Sequence, residues 1–279
     1  MENFVIIKIY ECRGGSMVKN VVITGSTRGL GLEMAKEFLK AGCNVTISGS
    51  RVNSFDREKH QVKGFEKQFI YVPCNVRNIS EIKNLWTKSV EKWGTVDIWI
   101  NNAGQNVPHE FVWDTEAEYI EAVVDTNIKG VMYGCKIAVE NMVKQGYGQV
   151  WNMEGLGSDD MIIEKTILYG TSKRALTYFT KGLAKELKDS QVKVGRLSPG
   201  MMLTEFITKA PTGELSTVTQ DNQFKKVFNI LADKPETVAK FFIPKILENT
   251  KQNAYIKWLT NTKSAQRFMM APFKKRELI

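Results

Sequence analysis

The chain has 279 residues, 43% apolar and 25% charged, with a formal net charge of +9. That length suits one large domain with a proper core, and the composition is that of an ordinary globular protein. No apolar run approaches the roughly 20 residues a membrane span needs, and the lysines are scattered along most of the chain rather than gathered into a nucleic-acid footprint.

The first 16 residues do not match the rest of the chain. A strand-like opening ends in Arg13-Gly14-Gly15-Ser16, directly before Met17. Purine-rich codons for arginine and glycine before a methionine read as a translated ribosome-binding sequence. Met17 is therefore expected as the biological start, residues 1–16 as a non-native extension, and 17–279 as the domain proper. The opening lacks the basic segment and cleavage site of a secretory signal, so a cytoplasmic location is expected.

From Lys19 onward, short apolar runs alternate with longer helical patterns. Val21-Val22-Ile23-Thr24 reads as a buried strand, and 30–40 as a helix with an apolar stripe at Leu32, Ala35, Phe38 and Leu39. Strands come next at 44–48 and 69–72, then a helix at 79–93 ending near Gly94, and a strand at 96–100. Helices are predicted over 116–124 and 127–144, a strand at 149–153, a helix at 169–188 and a strand at 192–197. The segment 204–222 is polar and irregular, which suggests a lid over about 201–232. Helical patterns at 223–231 and 235–248 and a last strand at 254–259 complete the chain. The alternation predicts one α/β domain, a doubly wound parallel sheet of the Rossmann-like kind.

Thr24-Gly25-Ser26-Thr27-Arg28-Gly29-Leu30-Gly31 joins the first strand to the first helix. Glycines there let the backbone turn sharply and approach a pyrophosphate, whose charge is favoured at a helix N-terminus. Tyr169 and Lys173 stand at i and i+4 and share one helix face. A neighbouring ammonium favours the phenolate, so the pair can exchange a proton near neutral pH. Together the two motifs point to transfer of a hydride and a proton. Cys12, Cys43, Cys74 and Cys135 show no metal-type spacing, and His60 and His109 are too few for a metal site. Buried thiols in a reducing compartment explain the cysteines. The basic tail, with Lys251, Lys257, Lys263, Arg267, Lys274, Lys275 and Arg276, reads as solvated, with a weak contact to an anionic membrane surface as the alternative.

The spacing TGxxxGxG resembles the short-chain dehydrogenase/reductase family. The resemblance continues through Asn101-Asn102-Ala103-Gly104, Asn127, Tyr169 with Lys173, and Pro199-Gly200. It implies that Tyr169 is the general acid in carbonyl reduction and the base in the reverse, and that Lys173 binds the nicotinamide ribose and lowers the phenol's pKa. Moving a tyrosine from ~10 to ~7 takes on the order of 4 kcal/mol. It further implies that Asn127 holds a water of a proton relay. Thr24 to Gly31, Asn102, Ala103, Gly104, Pro199, Gly200 and Thr204 would contact the cofactor together with Tyr169 and Lys173. Asn75, with Val76 beside it, stands where the family places an aspartate at the adenine; an amide still bonds a base edge.

One departure concerns the family's catalytic serine. Asn152-Met153-Glu154-Gly155 occupies its usual place, and the next serine is Ser158, nearer to Tyr169 than the family spacing. Ser158 is the expected donor to the substrate carbonyl, and Glu154 reads as structural. The run Asn152-Met153-Glu154-Gly155-Leu156-Gly157-Ser158 and the ending Ile256-Lys257-Trp258-Leu259-Thr260 resemble chlorophyll b reductases. No carboxylate follows strand two in Ser48-Gly49-Ser50-Arg51, and Arg28 and Arg51 suit a 2′-phosphate, so NADP(H) is favoured over NAD(H). Residues 106–113, 156–168 and 201–207 are expected at the substrate, with Met201, Met202, Phe206 and Ile207 forming an apolar pocket or simply core. The sum is an NADPH-dependent reductase of a ketone or aldehyde on a small apolar molecule, acting reversibly, as a homodimer or homotetramer. The alternative is a catalytically impaired NADP(H)-binding regulatory or scaffold protein.

Overall fold

A computed structural model of the protein describes residues 18–209, 213–214, 216–273 and 275–279. The expected extension 1–16 lies outside these residues, as do four positions of the expected lid. The strands are β1 (Asn20–Ile23), β2 (Asn44–Gly49), β3 (Phe69–Pro73), β4 (Ile98–Asn101), β5 (Gly148–Met153), β6 (Val192–Ser198) and β7 (Tyr255–Lys257). The helices are α1 (Gly29–Lys40), α2 (Ile79–Trp93), α3 (Ala117–Val123), α4 (Gly130–Gln145), α5 (Ile167–Glu186), α6 (Glu205–Thr208), α7 (Asn222–Leu231), α8 (Pro235–Leu247) and α9 (Asn261–Met270).

The strands form one sheet in the order β3-β2-β1-β4-β5-β6-β7, every pairing parallel. Each central strand is buried on both faces, so its apolar residues alternate between two cores. Val21 and Ile23 of β1 join Ile98, Ile100, Trp151 and the apolar stripes of α1 and α8. Val22, Trp99 and Val150 join α2, α4 and α5 on the other side. Trp99, Trp151, Phe38 and Phe242 are essentially fully buried, and each contributes about 1.5–3 kcal/mol relative to exposure.

The chain builds β1, β2 and β3 to one side, then returns to place β4 against β1. The connections after β1 and β4 therefore leave on opposite faces of the sheet, which opens a crevice at its switch point. The predicted helices over 116–124 and 127–144 form a continuous run, because a π turn at Val124–Lys129 links α3 to α4. Helix α9 had no counterpart in the sequence pattern. The basic tail is not simply solvated: Arg267 and Arg276 both reach Asp233, at 2.7 and 2.9 Å, and donate to the carbonyls of Ile230, Leu231 and Ala232 at the end of α7. Among the described residues, no helix is long and apolar enough to cross a membrane.

Candidate active site

The glycine-rich turn lies at the bottom of the crevice and has no room for side chains. Gly25 has φ 61°, and a β-carbon there would come 2.8 Å from Ala103 Cα. One on Gly31 would come 2.4 Å from the Gly25 carbonyl oxygen and 2.5 Å from Asn102 Nδ2. Thr24 Oγ1 accepts the N–H groups of Asn102 and Ala103 at 3.0 and 3.1 Å, while Asn102 Nδ2 donates to the carbonyls of Thr24 and Gly25. These bonds tie the end of β1 to the end of β4. Among the described residues, no side chain caps the first turn of α1, which leaves its N–H groups directed at the crevice. The glycines let the turn close against the loop after β4, and the uncapped N–H groups at the start of α1 suit a pyrophosphate.

The structure narrows several expected cofactor contacts. Ser26 Oγ donates to Ile23 O at 2.6 Å and accepts the Ser48 N–H, so its hydroxyl faces the core, as does that of Thr24. Leu30 packs in the core below the turn. Only the backbone of these three residues remains for a cofactor. Val76 is buried beside Gly130, where an added β-carbon would come 2.9 Å from its methyl, so its side chain serves packing. The Asn75 amide oxygen accepts the Arg77 N–H at 3.1 Å.

The two arginines expected near a 2′-phosphate stand on adjoining segments. Thr27 lies against Gly49, where an added β-carbon would meet its methyl at 2.6 Å. That contact joins the turn carrying Arg28 to the segment carrying Arg51. Arg28 pairs with Glu205 Oε2 of α6 at 3.1 Å, and Arg51 is exposed. Thr204 sits over the turn, its methyl 3.7 Å from the place of a β-carbon on Gly29. Gly200, with φ 71°, lies against Leu259 after Pro199.

Tyr169 and Lys173 come from the first turns of α5. Lys173 Nζ donates to the Met153 carbonyl at 3.1 Å and lies 5.6 Å from the centre of the Tyr169 ring. A β-carbon on Gly104 would lie 3.5 Å from Asn127 Oδ1 and 3.8 Å from Lys173 Nζ, so the loop after β4, the π turn and α5 converge here. Asn127 is fully buried; its Oδ1 accepts the Gln105 N–H at 2.7 Å, and its Nδ2 donates to Gln105 O and Ser172 Oγ. Its amide thus braces the loop against α5. Burial pulls the Lys173 pKa down to about 8, with the Glu154 charge opposing. Burial also pushes the Tyr169 phenol above its ordinary value.

Ser158 is 6% exposed. Its Oγ accepts the Gly155 N–H at 3.2 Å and donates to the Lys173 carbonyl at 3.4 Å. The expected substrate donor is therefore committed to the backbone, and Gly155 is the residue that faces the phenol: a β-carbon there would come 2.5 Å from the Tyr169 hydroxyl. Above the tyrosine, the Phe206 ring packs edge-on at 5.6 Å, and Asn106 Nδ2 donates to Phe206 O. Phe111 and Trp113 stack at 4.7 Å nearby in the chain. Met202, in contrast, packs against the core. Sequence reasoning missed Arg77, whose guanidinium bridges Thr126 and Gln105, and Ser172, which donates to the Tyr169 carbonyl. Neither lies in a motif with a spacing of its own.

Comparison with known proteins agrees with this geometry. The family model described as short chain dehydrogenase matches residues 19–215. Chlorophyll(ide) b reductase NOL of Oryza sativa subsp. japonica is 36% identical over 261 residues, covering 89% of this chain and 73% of the relative. The probable chlorophyll(ide) b reductase NYC1 of the same plant is 32% identical over 268 residues; the match covers 90% of this chain but only 51% of that relative. Among solved structures, ElxO with NADP bound aligns with a TM-score of 0.76 at 26% identity, covering 90% of this chain and 100% of that one.

Proposed function

The chain belongs to the short chain dehydrogenase family, and from that premise we propose that it is an NADPH-dependent reductase that converts a carbonyl on a small apolar molecule to an alcohol, reversibly. Membership makes it an NAD(P)-dependent oxidoreductase acting between CH–OH groups and carbonyls of a small-molecule substrate. The observation that carries the finer reading is the placing of Lys173 on the Met153 carbonyl, beside Tyr169, at the crevice between β1 and β4.

When bound, NADPH supplies the hydride. In this reading Tyr169 gives its hydroxyl proton to the carbonyl oxygen, and the Lys173 ammonium stabilises the phenolate left behind. Lys173 also reaches the ribose hydroxyls. The backbone of Thr24, Gly25, Ser26, Thr27, Gly29 and Gly31 receives the pyrophosphate, Arg28 and Arg51 the 2′-phosphate, and Asn75 the adenine. Asn102, Ala103 and Gly104 lie along the cofactor, with Pro199, Gly200 and Thr204 at its nicotinamide end. Asn127 keeps the Gly104 loop and α5 in register. Residues 201–232, including α6 and α7, act as a lid, and Phe206 over Tyr169 favours an apolar substrate. A tetrapyrrole leads the substrate classes because the relatives are named for chlorophyll(ide) b, ahead of a steroid, terpenoid or acyl chain.

A homodimer or homotetramer goes with this reading. Met132 of α4 and Tyr178 of α5, with Met161, Ile162, Ile163 and Ile167 before and at the start of α5, present exposed apolar surface that a second copy would cover. A cytoplasmic location suits the buried thiols of Cys74 and Cys135.

The second reading is a regulatory or scaffold protein that binds NADP(H) without turnover. It is favoured by the bare Gly155 opposite the phenol and the committed Ser158 hydroxyl. The test is NADPH oxidation with a panel of apolar ketones and aldehydes, alongside NADPH binding. Turnover in the wild type that disappears in Tyr169→Phe, with binding retained, supports the reductase. Binding without turnover supports the second reading, and an equally active Tyr169→Phe removes the assigned acid.

A further inference from the structure

Helix α5 grips the end of β5 at two consecutive residues. Lys173 holds the Met153 carbonyl, and one turn later Thr177 Oγ1 donates to Glu154 Oε1 at 2.8 Å. Glu154 is 2% exposed, and the same oxygen accepts from Arg196 Nη1 of β6 at 3.2 Å. The other carboxylate oxygen and Arg196 Nε are both buried without a hydrogen-bond partner among the described residues. A buried pair with unsatisfied atoms on each side is a poor source of stability, since desolvation cancels most of the attraction. Its position indicates another use. The next residue, Gly155, faces the Tyr169 hydroxyl, and Lys173 feels the Glu154 charge. The groups that face Glu154 are Lys173 and Thr177 from α5, Arg196 from β6 and Tyr255 from β7. The Arg196 guanidinium lies 4.3 Å over the Tyr255 ring, and Lys257 of β7 pairs outward with Asp159.

We propose that Glu154 is a positioning residue for the reaction: through Thr177 it sets α5 against β5, and its buried carboxylate keeps the Lys173 ammonium charged. This role rests on the reading of Tyr169 and Lys173 as the proton-transferring pair. Arg196 anchors the carboxylate from the far side, and Tyr255 covers the guanidinium. The ion pair with Arg196, with the Tyr255 ring over the guanidinium, leaves the carboxylate facing one cation that can lose a proton. Among the charged groups facing Glu154, that cation is Lys173, because a guanidinium does not deprotonate in proteins.

The test compares Glu154→Gln, which keeps the shape and a Thr177 contact without the charge, with Glu154→Asp, which keeps the charge. Two quantities are followed from pH 6 to 10, on the order of the range where a perturbed lysine titrates: kcat in the full-length protein, and the Lys173 side-chain NMR titration. Glu154→Gln is expected to move both the alkaline limb of kcat and the Lys173 titration to lower pH by about one unit. NADPH affinity should stay unchanged, and Glu154→Asp should restore the wild-type profile. A folded Glu154→Gln protein with an unmoved Lys173 titration overturns the proposal. If Glu154→Gln fails to fold because Arg196 is left buried and unpaired, Glu154→Gln with Arg196→Met replaces it, read against Arg196→Met so that only the carboxylate charge differs. The NMR titration needs no turnover. An inactive wild type, or an active Tyr169→Phe, therefore counts against the reaction assignment and is distinguished from failure of this role.

Discussion

The Tyr169 hydroxyl occupies space that Gly155 leaves empty: a β-carbon on that glycine would lie 2.5 Å from the hydroxyl oxygen, 3.2 Å from Cζ and 3.3 Å from Lys173 Cγ. The bare backbone at position 155 is thus a condition for where the phenol stands. Gly155→Ala is expected to push the hydroxyl aside and lower kcat/KM by about 100-fold, the usual cost of a misplacement near 1 Å, while NADPH still binds. Steady-state kinetics with cofactor titration checks this. An unchanged kcat/KM would mean that the proton is delivered from elsewhere.

With the Lys173 pKa pulled to about 8 by burial, the proposed reductase activity is expected to fall as pH rises through about 8, where the ammonium is lost. Stability moves the other way. In the unfolded chain a lysine holds its proton up to about 10.4, so between the two values the unfolded state binds more protons and folding gains with pH. Relative to Lys173→Met, the wild type should gain on the order of 2 kcal/mol between pH 8 and 10. Denaturant unfolding of both proteins across that window measures the difference, and a constant gap would refute the depressed pKa.

The segments that carry Arg28 and Arg51 adjoin where Thr27 touches Gly49. Arg28→Ser and Arg51→Ser should each weaken NADPH binding by roughly 10- to 100-fold, the worth of a charge-assisted contact of about 1.5–3 kcal/mol. NADH binding should be unaffected. Fluorescence titration with both cofactors decides it, and equal losses for the two would place the 2′-phosphate elsewhere.

Asp233 accepts from Arg267, Arg276 and the Trp258 indole. Asp233→Ala leaves two guanidinium groups without their carboxylate and is expected to cost about 3 kcal/mol, with faster proteolysis within 222–279. Melting curves and limited digestion report both effects. A variant as stable and resistant as the wild type would show that the junction contributes nothing.

Much of the frame is legible in the sequence for identifiable reasons. Strands buried on both faces need contiguous apolar residues, so β1 and β4 stand out. Helix α2 spans 79–93 in sequence and structure alike because Asn78 caps the Ser80 N–H and Gly94, with φ 84°, stops it. The glycine turn and the Tyr169–Lys173 spacing are local, so they place the crevice and the tyrosine–lysine pair beside it. Features that depend on distant chain segments leave no such mark. Helix α9 buries no residue, so no core face marks it in the sequence. The π turn at Val124–Lys129 shifts the helical period and splits one run into two apparent helices. Spacing alone cannot tell that Gly155, not Ser158, faces the phenol, because the choice is made by loop geometry. The Asp233 junction joins residues 34 and 43 positions apart, which no local pattern encodes.

The same junction alters how basic the molecule is to its surroundings. Arg267 and Arg276 enter the formal +9, yet their guanidinium groups point inward to Asp233 and to the carbonyls that end α7. A polyanion or a charged bilayer feels the field beyond the surface, where the one Asp233 carboxylate offsets one of these two cations. The tail works as a clasp on the fold and offers a weaker electrostatic landing strip than its letters promise.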